Sequence, residues 1–396
     1  MNKYISIFFC VQIIALNLFA MQPKVTPVDY VRPQIDTHKS RWFFFSSASR
    51  PFGMVSLSPD TWTEGSWNSG YLYNSKEIRC FSHVHCWQLA GVPVMPTTGE
   101  VKGHKGMDAY KSTYSHETEI VKPGYHKVEL DTYQIRVELT STSRVGMHRY
   151  TYPAGEKANV LFDVGALLAH GKTEKAAIHR ISSKEIGGYS VLAPTSRRKK
   201  PVTVYFVARF NQNMTAFGGW EKEGKEKKLV HKNSIEGADI GGYASFGKLK
   251  KQTLLMKVGI SYVSEEQARI NLEKELAHWN FDRVKEDAFA EWNRELGKIT
   301  VEGGSEEEKI KFYTDLWHSL LGRHTFSDFN GKYIDNTGEE PVVRQVPLDN
   351  GTPTRNTYNS DAFWGSEFNL NILWSIAYPK VMSEFVSTLV DYYTNG

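Results

Sequence analysis

Apolar and polar residues alternate with period two along much of the first two thirds of the chain. In Tyr133-Gln134-Ile135-Arg136-Val137-Glu138-Leu139 every second side chain is apolar, the pattern of a strand with one face buried and one wet. Runs at residues 54–57, 125–130, 135–140, 145–150, 160–164, 202–210 and 253–262 predict strands, and Gly, Pro, Asn and Asp separate them. Many short strands with such turns predict a β-sandwich over residues 25–263.

The period then changes. Ser264 with Gln267 is a capping box, and Val263 can staple onto Ala268. A helix follows to about Ala277. A second spans 281–296, with Val284, Ala288, Phe289 and Trp292 on one face, and Gly297 ends it. Ile299-Thr300-Val301 reads as a short strand and Gly303-Gly304 as a hinge. Ser305 with Glu308 opens a third helix, to about residue 321, with Ile310, Tyr313, Leu316, Trp317 and Leu320 on one face. A fourth helix is expected over 364–378, interrupted by Pro379, and a fifth through Tyr393. The expected division is therefore a leader at 1–20, the sandwich at 25–263, a helical linker at 264–304 and a helical domain at 305–396. The last helices carry broad apolar stripes with few partners. Helices owe most of their stability to tertiary packing, so the pattern predicts a longer protein of which this is the N-terminal part. The alternative is that these helices pack on the β unit alone.

Composition sharpens the picture. At 396 residues two domains are expected. The formal net charge is only +4, and the basic runs Arg197-Arg198-Lys199-Lys200 and Lys225-Glu226-Lys227-Lys228 lie beside Pro201 and Gly224 as solvated loops. No nucleic-acid-binding motif accompanies them, so nucleic acid is not an expected partner. Lys3, the apolar stretch 5–19 and Ala20 form a secretory signal, predicting a secreted or periplasmic protein with no stable membrane insertion once it is cleaved. Cys80 and Cys86 then remain, as a disulfide or as two small buried residues. The 13% aromatic content favours ligands with flat apolar faces, such as sugars.

Residues 50–98 concentrate candidate chemistry. Trp62, Trp67, Trp87, His83 and His85 crowd a stretch punctuated by Gly and Pro. His83-Val84-His85 on a strand would share a face, where zinc, a polar ligand or plain core hydrogen bonding are all open. Asn359-Ser360-Asp361-Ala362-Phe363-Trp364 is a second polar-aromatic cluster, read either as a binding loop or as a helix cap with core aromatics. Candidate carboxylates for glycoside hydrolysis are Asp60, Glu64, Asp163, Asp315, Asp328, Asp349, Asp361 and Glu367, none singled out by spacing.

Several motifs in register resemble glycoside hydrolase family 92. They include Arg50-Pro51-Phe52-Gly53-Met54-Val55, Ser58-Pro59-Asp60-Thr61, Gly70-Tyr71-Leu72-Tyr73 and Phe81-Ser82-His83-Val84-His85. Arg144-Val145-Gly146-Met147-His148-Arg149-Tyr150 and Phe312-Tyr313-Thr314-Asp315-Leu316-Trp317-His318 continue the match. The resemblance implies an α+β multidomain protein: an N-terminal β-sandwich (supersandwich), a helical linker and the first helices of an incomplete (α/α)6 barrel. It implies an exo-acting, inverting, calcium-dependent α-mannosidase of the α-1,2 type, acting on mannose-containing N-glycans or mannans. By resemblance, Phe52, Gly53, His83, His85 and Trp87 belong to loops on the floor of the sugar pocket. The family commonly has Trp-Asp-Thr where Trp364-Gly365-Ser366 stands here, which hands the sugar contact to Asp361 beside Trp364. The acid, the base and the calcium ligands are expected beyond Gly396, with no metal ligand in this chain. A non-catalytic carbohydrate-binding module is the competing reading.

Overall fold

The computed structural model describes residues 25–38, 45–63, 70–86, 89–166, 168, 172–196, 198–360 and 363–396. The leader at 1–20, Trp87 and Asp361, and the side chain of Trp364, lie outside the described residues. Among the described residues no helix is long and apolar enough to cross a membrane.

Two antiparallel sheets face each other. One runs in the order Ser58–Asp60, Cys80–Ser82, Val94–Thr98, Lys157–Phe162, Gly241–Lys248, Ala216–Glu223, Glu226–Val230. The other runs Ser234–Gly237, Thr173–Arg180, Glu185–Leu192, Val202–Phe210, Thr253–Ser261, Val145–Thr151, Ile135–Ser141, Tyr125–Leu130, Ile120–Lys122. One continuous apolar core lies between them. Phe162 stacks on Phe206 across it at 5.8 Å, and Phe210 meets Phe246 edge-on at 4.9 Å, so aromatic pairs bind one sheet to the other.

The expected strands are present with one displacement. Residues 54–57 run irregularly, and the strand begins at Ser58, paired with Ser82. The expectation of a wet outer face also needs correction. Helices Glu265–Glu275 and Phe281–Leu296 lie on the larger sheet and bury Val145, Met147 and Val207 beneath Ala268, Leu272, Phe281 and Val284. The first helix comes so near Gly259 that a Cβ there would sit 2.4 Å from the Ala268 carbonyl oxygen, so only glycine fits. Ser264 Oγ accepts from the Gln267 N–H at 3.1 Å to open that helix. The buried Lys257 closes it, its Nζ donating to the Leu276 carbonyl at 2.9 Å.

The helical part starts with Glu306–Ser319, whose capping box is complete: Ser305 Oγ accepts from Glu308 N–H at 3.2 Å and Glu308 returns to Ser305 N–H at 2.7 Å. A hairpin, Lys332–Asp335 with Val342–Gln345, then intervenes. The helix expected over 364–378 is two pieces, Phe363–Ser366 and Leu370–Ala377, followed by Pro379–Asn395 with proline in its first turn. Residues 299–301 form no strand. Cys80 and Cys86 are both buried, and no disulfide joins them to each other.

Candidate functional site

The two halves meet at the Arg50-Pro51-Phe52-Gly53 turn. Phe52 holds a left-handed φ of 55°, a costly conformation for a bulky residue. Its backbone explains why it persists. The Phe52 N–H donates to the Leu320 carbonyl at 3.1 Å, and its own carbonyl accepts from both the N–H and Oγ1 of Thr325 at 2.8 Å. The ring is buried edge-on against Trp374 and Tyr378, with centroids 5.6 and 6.0 Å away. Arg50 locks the turn from the sandwich side, donating to the Ser141 and Val284 carbonyls and pairing with Glu291. Arg144 makes a second lock: it reaches Glu275 at 2.7 Å, the Ser327 carbonyl at 2.7 Å and Asn356 Oδ1 at 3.0 Å.

Directly after this latch a cavity of about 390 Å³ opens, with Cys86 and Leu89 from the sandwich and His324, Phe326, Asn359 and Ser360 from the helical part on its walls. Tyr262 and Phe326 stack within it at 4.5 Å. Segment 323–326 pairs with 357–359, which sets the polar groups. The His324 N–H donates to Asn359 Oδ1 at 2.8 Å, and Asn359 N–H returns to the His324 carbonyl at 3.0 Å. His324 Nδ1 donates to the Gly53 carbonyl at 2.9 Å. Burial pushes this imidazole down to about 4, with Arg323 and His85 adding to the shift and the Gly53 hydrogen bond opposing it. It is therefore neutral at pH 7, with its proton on Nδ1, and Nε2 is an acceptor. Asn359 Nδ2 is buried and makes no hydrogen bond among the described residues. An acceptor and an unused donor on adjacent residues suit neighbouring hydroxyls of a ligand.

The structure places Phe52 in the aromatic junction, on the wall of a neighbouring cleft, and Gly53 behind His324. His83 sits at a bend and His85 in the strand Val84–Cys86, and the two turn to different partners. His83 Nδ1 donates to the Val92 carbonyl at 2.7 Å, so its Nε2 accepts, at 2.9 Å, from His148 Nε2–H. His148 Nδ1 must then accept from Tyr150 O–H, at 2.9 Å. Burial lowers His83 to about 4 and holds His148 well below its ordinary value, so both are neutral and the chain has one proton arrangement. Gly146 leaves room for it: a Cβ there would come within 2.7 Å of His83 Cδ2. His85 Nδ1 donates to the Ser56 carbonyl at 2.6 Å and Nε2 lies 3.0 Å from Asp60 Oδ1. Burial opposes charge on His85, but the Asp60 carboxylate and the Ser56 carbonyl outweigh it and raise its pKa. Asp60 also accepts from Ser82 Oγ and, at 3.4 Å, from Cys80 Sγ. Every ring nitrogen of His83 and His85 is thus engaged, which removes the zinc reading for that pair. Among the described residues no three His, Cys, Asp or Glu side chains gather to hold a metal ion.

Among the candidate carboxylates, Asp60, Asp163 and Asp328 are buried, whereas Asp349 and Glu367 are exposed. Asp328 accepts from Asn271 and Ser261, at 2.7 and 2.9 Å, and fastens the helical part to the sandwich. Glu64 lies outside the described residues. None of the described Asp or Glu residues lines the His324 cavity. Sequence reasoning missed His324, which follows the helix that ends at Ser319; Asn359 stood at the head of the second polar-aromatic cluster without being singled out within it.

Sandwich, latch and junction cavity together define a two-part, glycosidase-like architecture. The chain belongs to glycosyl hydrolase family 92: its residues 30–261 match the family's N-terminal domain and residues 267–396 its catalytic domain. It is similar to a solved family 92 α-mannosidase of Bacteroides thetaiotaomicron, 26% identical with a TM-score of 0.83 over 95% of this chain and 51% of that one. The same enzyme with bound mannoimidazole superposes at 0.81, 26% identical over 94% and 49% of the two chains. A family 92 inverting mannosidase of that organism, 23% identical, shares the fold at 0.79 over 94% and 49%. A curated relative, an uncharacterized secreted glycosidase of Arthroderma benhamiae, is 23% identical over 330 residues, 75% of this chain and 40% of its own length. The chain thus spans about half or less of the relatives it matches.

Proposed function

We propose that this chain is the sugar-holding part of a secreted, exo-acting, inverting α-mannosidase that removes α-1,2-linked mannose from N-glycans or mannans. Family membership and the mannosidase names of solved relatives support the reading. The observation that carries it is the junction cavity, where His324 Nε2 offers an acceptor and Asn359 Nδ2 an unspent donor beside the Tyr262–Phe326 stack. Adjacent mannose hydroxyls each donate and accept, so both groups are satisfied by one sugar, and the aromatic pair covers its apolar side.

Inverting hydrolysis needs one carboxylic acid to protonate the leaving oxygen and one carboxylate to activate water across the sugar. The described carboxylates stand away from the cavity, so this reading gives the chain's own residues the work of binding and orienting and assigns neither chemical role to them. The test is calorimetric titration with methyl α-mannoside. Binding is expected, and His324→Ala and Asn359→Ala should each weaken it by about tenfold, the loss of one well-made hydrogen bond in a buried site. Unchanged affinity in both variants would overturn the reading. A purely sugar-binding role predicts the same titration, and under either reading this chain by itself is expected to release no nitrophenol from nitrophenyl α-mannoside; release would overturn the assignment of acid and base to residues outside it.

A further inference from the structure

A second cavity, of about 490 Å³, lies within the sandwich and shares no lining residue with the first. Asp163, Lys172, Arg79, Met107 and the Lys227–Asp239 pair line it. Its wall is firm: Gly165 N–H donates to the Ile240 carbonyl at 2.8 Å, and a Cβ on Gly165 would fall 2.4 Å from the Ile240 nitrogen. Asp163 is only 4% exposed. Its Oδ2 accepts from Tyr110 O–H at 2.8 Å, but Oδ1 is buried with no hydrogen-bond partner among the described residues. Oδ1 can therefore accept a hydrogen bond from a further donor.

We propose that this cavity is a second carbohydrate site, binding a hydroxyl-rich ligand through Asp163. The charges select that class. Lys227 is already neutralised by Asp239 at 2.5 Å, and an anion would meet the Asp163 carboxyl, so a phosphate is poorly served. A pair of adjacent hydroxyls fits both sides: one donates to Asp163 Oδ1 while the next accepts from Lys172 or Arg79. Met107 supplies an apolar contact. Burial raises the Asp163 pKa to about 6, with the Tyr110 hydrogen bond and Lys227 opposing the shift, so the carboxylate acceptor prevails at neutral pH.

The site reports on itself through Met107. In chain labelled with methyl-13C methionine, its resonance, assigned by Met107→Leu, is expected to shift on titration with methyl α-mannoside. Asp163→Ala and the exposed Lys172→Met should each weaken that titration by about tenfold, while His324→Ala leaves it unchanged. Tyr110→Phe, which removes the same Tyr110–Asp163 hydrogen bond but keeps the acceptor, should retain it. Thermal melting checks the fold of Asp163→Ala, and Lys172→Met carries the test if that variant does not fold. An unmoved Met107 resonance, a shift that survives both Asp163→Ala and Lys172→Met, or a response to inorganic phosphate but not to the mannoside would overturn the proposal.

Discussion

The sandwich and the helical part bury their apolar residues in different ways. The sandwich core is enclosed by its own two sheets and by the helices on its outer face. The last two helices keep one face on the latch, through Trp374, Tyr378 and Phe385, and present another to solvent: Ile376 is 78% exposed and Tyr393 90%, and Phe368 in the turn before them is 77% exposed. The sandwich therefore specifies itself, and the described helices are held chiefly by what they touch at one seam. An amphipathic stripe in sequence shows that a face is apolar without telling which partner covers it.

This contrast can be broken where the seam is thickest. Trp374→Ala should cost about 4 kcal/mol, visible as an earlier, separate unfolding of the helical part in urea. Phe206→Ala, of about the same cost, should instead shift loss of the β-sheet signal. If both variants unfold in one coincident transition, the two regions are a single cooperative unit. Next in size is Arg144→Met, which leaves the partly buried Glu275 without its cation. A loss of about 3 kcal/mol is expected, and Glu275→Gln in the same background should recover much of it.

Acidity sharpens the comparison. His83 and His324 have folded pKa values near 4, below their ordinary 6.5. The stability they contribute is present above 6.5 and lost as pH falls towards 4. Asp163 and Asp328 are raised by burial to about 6, above their ordinary 3.8. Their contribution has the opposite sign, present at low pH and lost as pH rises through about 6. Asp163→Asn retains an acceptor for Tyr110, so it should deepen the loss of urea midpoint between pH 6.5 and 4.5. A shallower loss would refute this assignment. The smallest effect is expected at the surface, where Lys311 and Asp315 pair at 2.8 Å one helical turn apart. Lys311→Ala should change stability by no more than about 0.5 kcal/mol in a thermal melt.

Strands and helices were legible because their periods are local. Residues 125–130, 202–210 and 281–296 lie where alternation and caps put them. The 332–345 hairpin was not, for it lacks a marked apolar alternation and stands largely on the surface. The sites were less legible still. Arg144, Gly146, His148 and Tyr150 stand in one motif, yet each does something different: a lock to Glu275, room for His83, a hydrogen bond to His83 and the hydroxyl that donates to His148. His324 acquires its tautomer from Gly53, far off in sequence. Such pairings follow from the fold and cannot be read from spacing.

The left-handed turn at Phe52 also has a history. Its carbonyl awaits Thr325, 273 residues further along the chain. At ordinary elongation speeds of about 5–20 residues per second, roughly 14 to 55 s separate the two during synthesis. Until Trp374 and Tyr378 are made as well, the Phe52 ring lacks the two rings against which it is buried.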